Sequence, residues 1–275
     1  MSVIPLAGVL GHPVAHSLSP RLHGHWLARY AIPGHYVPLD VAPGDLAAVL
    51  AAMPRMGFRG CNVTIPHKQA VLALAAQTTE RARRIGAANT LTFLPGGGFV
   101  ADNTDGYGFA ANLVRGAPAF RAFNARALVL GAGGAARAVL DALIEAGVAR
   151  IALANRTRAR ADDLAAAFGP RVTATDWDEA GDRLAKADLV VNTTALGMTG
   201  QPPLNLPLDG LHAGQTVTDL VYAPLETPLL AAARAAGATV VDGLGMLLDQ
   251  AAPGFEAWFG RRPEVDDAAR AAVLA

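Results

Sequence analysis

The stretch Arg126-Ala-Leu-Val-Leu130-Gly131-Ala-Gly133-Gly134-Ala-Ala136 decides how the rest of the chain is read. Its four-residue apolar run, Ala127 to Leu130, stops at a glycine cluster. A helical pattern then continues to about residue 146, and a second strand pattern follows at Arg150–Ala154. Strand, glycine turn, helix and strand within roughly 30 residues give a G-x-G-x-x-[GA] match its meaning. Gly131 permits the tight turn, Gly133 lets the backbone come close to a pyrophosphate, and Ala136 keeps the helix near the strand. Free N–H groups and the positive end of the helix dipole then face the phosphates. Gly131, Ala132, Gly133, Gly134 and Ala135 are therefore the candidate dinucleotide-binding loop.

The end of the following strand selects the nucleotide. An acid there binds a ribose 2′-hydroxyl, whereas a 2′-phosphate calls for arginine. This chain reads Asn155-Arg156-Thr157-Arg158-Ala159-Arg160, with no acid before Asp162. Guanidinium groups grip phosphate through forked, charge-assisted bonds. NADP is favoured over NAD, with Asn155, Arg156, Thr157 and Arg160 as its candidate contacts. Of the 23 basic residues only Lys68 and Lys186 are lysines, so the competing reading is that one or two of the three arginines are surface filler.

Working outward, strand patterns cover 3–10, 36–41 and 60–65, the last stopped by Pro66, which cannot donate to a ladder. Helices are expected over 21–30 and 43–55. The glycines before Phe99 suit a hairpin turn between 90–94 and 99–101. A helix over 106–116 leads to a linker at 117–124. Further strands are expected at 172–175, 189–192, 216–220 and 239–241, with a last helix at 246–259. Alternating strands and helices imply parallel or mixed α/β sheets.

A length of 275 residues favours two domains. Hydrophobic residues at 52% and charged residues at 17% describe a folded chain. A net charge of zero without a basic stripe argues against a nucleic-acid partner. No apolar run reaches the about 18 residues of a membrane helix, and the N-terminus lacks the pattern of a signal peptide. The lone Cys61 excludes an internal disulfide and fits a reducing cytoplasm; it reads as a small buried residue. His12, His16, His23, His25 and His67 concentrate early, but Pro13 breaks the helical spacing of the first two and no carboxylate cluster joins them, so no metal is expected.

Chemistry enters with Asn62-Val-Thr64-Ile-Pro66-His-Lys68, which places a hydroxyl and a rare lysine just past a strand. Ala88-Asn89-Thr90 and Asp102-Asn-Thr104-Asp105-Gly106 add an amide and a carboxylate. Hydride delivery to a ketone builds negative charge on oxygen, which a nearby cation and proton donor relieves. Lysine can both stabilise and protonate that oxygen, whereas arginine does not readily release a proton.

Together with Ser17-Leu-Ser19-Pro20, Gly86-Ala-Ala-Asn89-Thr90, Asn155-Arg156-Thr157 and Gly243-Leu-Gly245-Met246-Leu247 leading to Gln250, these motifs make the chain resemble the shikimate dehydrogenase family nearly end to end. The resemblance implies interconversion of 3-dehydroshikimate and shikimate with NADPH, on the route to chorismate and the aromatic amino acids. It implies that Ser17, Ser19, Thr64, Asn89, Asp105 and Gln250 hydrogen-bond a small polar ring acid, with Lys68 and Asp105 as the catalytic pair. It also places Leu220, Tyr222 and Gly243 near the nicotinamide; Tyr222, counted among the substrate contacts, fits a packing role equally well. The family commonly reads Asn-Ala-Thr-Ser before x-Gly-Met, whereas this chain has Asn192-Thr-Thr194-Ala195-Leu-Gly197-Met198, without the serine hydroxyl.

The expected architecture is α/β in two domains. Residues 1–107 form an N-terminal α/β substrate domain, a C-terminal helix at about 244–275 packs back on it, and residues 108–243 form a Rossmann-type NADP domain. Ligands are expected in the cleft between them, with closure excluding water. The state is a monomer or homodimer. Competing readings are a quinate/shikimate dehydrogenase or related enzyme using NAD or another ring acid, a non-catalytic NADP-binding sensor, and a folate-linked methylene dehydrogenase. Lys68 with Asp105 counts against the sensor, and the Ser-x-Ser and Asn-Thr-Asp motifs count against the folate enzyme.

Overall fold

In a computed structural model, which describes residues 4–275, the strands gather into two six-stranded sheets. Val3, the first residue of the expected 3–10 strand, lies outside the described residues. The strands are β1 (Leu6–Gly11), β2 (His35–Asp40), β3 (Gly60–Val63), β4 (Gln77–Thr78), β5 (Thr90–Phe93), β6 (Phe99–Asp102), β7 (Arg126–Leu130), β8 (Arg150–Ala154), β9 (Val172–Thr175), β10 (Leu189–Asn192), β11 (Thr216–Asp219) and β12 (Thr239–Val241). The helices are α1 (Ser19–Arg29), α2 (Leu46–Ala52), α3 (Glu80–Ile85), α4 (Asp105–Gly116), α5 (Gly134–Glu145), α6 (Arg158–Phe168), α7 (Ala180–Leu184), α8 (Pro228–Ala235), α9 (Leu244–Phe259) and α10 (Asp267–Leu274). One compact unit comprises Met1–Gly108 with Leu247–Ala275, and the other comprises Phe109–Met246.

The first unit carries a mixed sheet in the order β2-β1-β3-β5-β6-β4. β1 pairs in parallel with β2 and β3, while β5 runs antiparallel to both β3 and β6. The β5–β6 hairpin closes where Leu94 N–H meets Gly98 O at 3.0 Å, through Gly97 and Gly98 at φ +97° and +74°. The helix expected over 43–55 is α2 alone, flanked by 3₁₀ turns at Pro43–Asp45 and Met53–Met56; Pro54 removes an amide that a continuing helix needs. The last helix expected at 246–259 is α9, but the wider stretch 244–275 holds a second helix as well, α10. Gly260 at φ +75° ends the first, and Asp266 caps the second by accepting Ala269 N–H at 2.9 Å.

Leu10, Met53, Val63, Leu91 and Phe99 form part of one core of this unit. A second layer is aromatic. His23 is fully buried and stacks on Tyr36 at 3.8 Å between ring centroids, with Trp26 edge-on at 5.6 Å. Gly60 lacks the Cβ that would collide with Leu91 O and the Trp258 indole nitrogen, so Trp258 Nε1 donates to Leu91 O at 2.9 Å. Burial also pushes the Cys61 thiol from 9.0 up to about 12, which leaves it inert.

The second unit has a wholly parallel sheet, β9-β8-β7-β10-β11-β12, with the chain reversing direction of strand addition between β7 and β10. This is the doubly wound dinucleotide-binding order. β7 reads as an unbroken apolar run because both its faces are covered. Ala127 and Val129 join one core, and Leu128 and Leu130 the other. The stretch 117–124, expected as a linker, belongs to this unit: Ala117 is buried in its core, and Phe120 and Ala122 pack against it.

His23 makes the first unit sensitive to acid. Burial lowers its pKa from 6.5 to about 3, and neither ring nitrogen has a hydrogen-bond partner among the described residues. The unfolded chain therefore takes up this proton first. The associated stability is present above pH 6.5 and drains away as pH falls toward 3. His23→Phe, which keeps a stacking ring without the titration, should flatten that loss in urea melts followed by tryptophan fluorescence from pH 7 to 4. Wild-type and variant midpoints falling in parallel would remove His23 as the cause.

Candidate active site

The loop after β3 is tied down before it delivers Lys68. Thr64 N–H donates to Leu10 O at 2.8 Å, His67 N–H to Thr64 O at 2.9 Å, and Ala88 N–H to Lys68 O at 2.7 Å. The buried His67 ring adds a 2.8 Å bond between Nε2 and Val41 O. Asp105 opens α4, with its N–H on Asn103 Oδ1 at 3.0 Å, while Asn103 Nδ2 donates to Ala87 O at 2.8 Å. These supports bring Lys68 Nζ to 2.6 Å from Asp105 Oδ2. The aspartate side chain is 8% exposed and the lysine 20%. Asn89 Nδ2 donates to the other carboxylate oxygen at 2.8 Å and to Gln250 Oε1 at 3.1 Å. Four expected site residues, Lys68, Asn89, Asp105 and Gln250, thus form one bonded cluster. Each Asp105 oxygen meets a donor, which suits an ionised carboxylate.

Three others stand apart from direct bonding to that cluster. Ser17 is half-buried, its Oγ accepting Ser19 N–H at 3.3 Å. Ser19 is buried at the start of α1. Thr64 is half-buried, fits beside Gly11 because that residue has no Cβ, and its hydroxyl has no hydrogen bond among the described residues. Tyr36, Asn62, Thr90 and Thr104, none of them assigned a site role from sequence, lie behind Asn89. Asn62 within an otherwise apolar strand pattern was the available signal, since a buried amide needs partners.

In the second unit, Gly131 takes φ +104° and its N–H reaches Ala154 O at 2.7 Å; a Cβ there would meet Thr193 and Thr194. Gly133 precedes α5, and a Cβ at that position would find open space within 4 Å. No side chain caps α5, so its first turn presents bare backbone, as a pyrophosphate cradle requires. Asn155 links this loop to the next segment: its Oδ1 accepts Ala132 N–H at 3.2 Å and its Nδ2 donates to Thr157 O at 2.8 Å. Arg158 is engaged with Asp162 at 2.9 Å and Asp176 at 2.8 Å. Arg156 and Arg160 are exposed and, among the described residues, have no partner. Of the three guanidinium groups, these two are available to a 2′-phosphate.

Leu220 N–H meets Asn192 O at 2.9 Å, and Gly243 packs so close to the Leu220 and Val221 backbone that a Cβ cannot fit. Asp219 holds the turn between them. It accepts from Asn192, Val221 and Thr227, yet burial raises its pKa. Tyr222 lies in this unit; it is half-buried, burial raises its pKa, and its hydroxyl has no hydrogen bond among the described residues. Ala195 is exposed, and the loop holds without a hydroxyl there: Thr193 Oγ1 donates to Leu130 O and Thr194 Oγ1 to Asn192 Oδ1, both at 2.7 Å. Among the described residues no His, Cys, Asp or Glu cluster is placed to hold a metal, and no helix is long and apolar enough to cross a membrane.

Sequence profiles of one family match in three segments: "Shikimate dehydrogenase substrate binding domain" over 9–91, "Shikimate / quinate 5-dehydrogenase" over 117–198, and "Shikimate 5'-dehydrogenase C-terminal domain" over 243–274. A protein of Ruegeria sp. named shikimate dehydrogenase (NADP(+)) is 63% identical over 98% of this chain and 98% of its own. Shikimate 5-dehydrogenase of Thermus thermophilus, solved with NADP(H) and shikimate, is 40% identical with a TM-score of 0.86, covering 98% of this chain and 99% of that one. Quinate dehydrogenase of Corynebacterium glutamicum, solved with NAD, is 33% identical with a TM-score of 0.92 over 98% and 99% of the two chains.

The unpaired arginines generate a direct expectation. Arg156→Ala and Arg160→Ala should each weaken NADPH binding about tenfold, the scale of a lost charged hydrogen bond, while NADH binding stays unchanged in a fluorescence titration. Equal weakening of both nucleotides would detach these arginines from the 2′-phosphate.

Proposed function

The chain belongs to the shikimate dehydrogenase family, and from that footing we propose that it interconverts 3-dehydroshikimate and shikimate with NADPH, using Lys68 as proton donor and acceptor and Asp105 as its partner. It is an oxidoreductase acting on a CH–OH group, and its relatives are NADP enzymes. The observation that carries the proposal is the 2.6 Å Lys68–Asp105 pair, with Asn89 and Gln250 bonded beside it.

Gly131 to Ala135 with Asn155, Arg156, Thr157 and Arg160 would hold the nucleotide, which would supply the hydride when bound. The chain's own residues manage charge and protons. In reduction, Lys68 Nζ gives a proton to the carbonyl oxygen and becomes neutral; in oxidation, the neutral amine takes the hydroxyl proton. Its partial exposure lets it exchange that proton with water. Asp105 remains ionised, aims Lys68 with one oxygen, and receives Asn89 on the other. The amides of Asn89 and Gln250 and the hydroxyls of Ser17, Ser19 and Thr64 are suited to pair ring hydroxyls and a carboxylate. Such a polar site rejects analogues that leave its groups unpaired. Leu220, Tyr222 and Gly243 are assigned to the nicotinamide end of the second unit.

The likeness to a quinate dehydrogenase that binds NAD supports a second reading, in which quinate or NAD is used. The free Arg156 and Arg160 favour NADP. Nicotinamide absorbance with shikimate and quinate, each with NADP and NAD, separates the readings; inactivity of all four pairs would sink both. Lys68→Ala should fold and bind NADPH yet lose turnover about 100-fold or more, the scale of general acid–base catalysis. Near-normal turnover would overturn the role of Lys68.

A further inference from the structure

The Asn89 amide faces Asp105 with its nitrogen, and the directions of the surrounding hydrogen bonds leave no choice in the matter. Asn89 Oδ1 accepts from Thr104 N–H at 2.8 Å, and a backbone N–H can only donate. On the other side, Asn89 Nδ2 meets the Asp105 carboxylate, which can only accept. Asn62 is fixed by the same logic: its Nδ2 lies 3.1 Å from Asn89 O, an obligate acceptor, so its Oδ1 faces the Tyr36 hydroxyl at 2.7 Å. Tyr36 must donate to it. Asn62 Nδ2 also donates to Thr90 Oγ1 at 3.2 Å, which frees the Thr90 proton for Asn89 Oδ1 or Thr104 Oγ1, both at 3.0 Å. Thr104 Oγ1 in turn donates to Asn89 Oδ1 at 3.1 Å.

We propose that Thr104, backed by Thr90, Asn62 and Tyr36, is the positioning residue that holds Asn89 as a donor to Asp105 and so fixes the carboxylate that aims Lys68. The donors run one way, from Tyr36 through Asn62, Thr90 and Thr104 to Asn89 and then Asp105. Every member is buried, with Thr104 at 0% exposed. Aligned bonds in a dry interior reinforce one another, and a missing link leaves a buried polar group unmet. Tyr36 is itself held flat against the neutral ring of His23. None of the backing groups bonds directly to Lys68 or Asp105, so their influence passes through Asn89.

The inference rests on the acid–base role proposed above for Lys68 and Asp105. Thr104→Val keeps the shape and the backbone N–H but deletes the hydroxyl, whereas Thr104→Ser keeps the hydroxyl. In the full-length protein, kcat for shikimate oxidation should fall about tenfold in Thr104→Val and return to within about twofold in Thr104→Ser, matching the loss of one buried hydrogen bond. KM for NADP should stay unchanged in both. Side-chain amide exchange of Asn89 by nitrogen-15 NMR, which needs no turnover, should quicken in Thr104→Val alone. Wild-type kcat and exchange in Thr104→Val, or equal impairment of the valine and serine variants, would overturn the proposal. Should Thr104→Val fail to fold, Thr90→Val against Thr90→Ser tests the preceding link by the same measurements. Lys68→Ala run alongside separates the two failures. An active Lys68→Ala defeats the acid–base reading; an inactive one beside an unimpaired Thr104→Val defeats only the positioning role.

Discussion

A carboxylate taken out of water must have its oxygens met by donors, and much of the first unit is arranged around meeting those of Asp105. Lys68 answers one oxygen and Asn89 the other. To put those two donors there, the chain ties the loop after β3 to β1 and to Ala88, and buries a run of amides and hydroxyls behind Asn89. Leaving any of them unpaired in that interior costs about 1–3 kcal/mol each, so the polar groups constrain one another. The ion pair itself is weak grounds for stability, since removing charges from water offsets much of their attraction. Its value lies in orientation.

Strand direction explains why the site residues fall at loop positions far apart in sequence. In parallel sheets, ligands gather outside the carboxyl ends of strands. Ser17 follows β1, Lys68 follows β3, Asp105 follows β6, Gly131 follows β7, Asn155 follows β8 and Leu220 follows β11. Asn89 precedes its strand, but β5 is antiparallel to β3, which returns its beginning to the same edge; Val63 N–H meets Asn89 O at 2.8 Å. The single inverted strand is therefore what allows an amide to stand opposite the lysine.

The second sheet was legible in the residues themselves, because β7 and its neighbours are apolar on both faces and the glycine loop has a narrow set of uses. Lys68 stood out only against the arginine background of the chain. Gln250 carried no local signal; its place beside Asn89, 161 positions away, was implied only by resemblance to a family. Thr90 and Thr104 were visible as motif letters without roles, since hydrogen-bond direction depends on three-dimensional partners. The expected linker at 117–124 failed because the stretch, broken by Pro118, is mostly apolar and packs through Ala117, Phe120 and Ala122. The helix at 246–259 was legible, whereas α10 was not set apart from it, because apolar periodicity resumes beyond Gly260, whose left-handed backbone breaks the rod.

Asn155 separates two properties that a nucleotide-binding protein must otherwise change together. Its oxygen and nitrogen lock the glycine loop to the chain at Thr157, while the unpaired arginines lie on the exposed flank beyond. In the proposed site, the grip common to all dinucleotides and the discrimination among them fall to different atoms. A change of nucleotide preference would then need substitutions only at solvent-facing positions, leaving the backbone loop proposed to hold the phosphates intact.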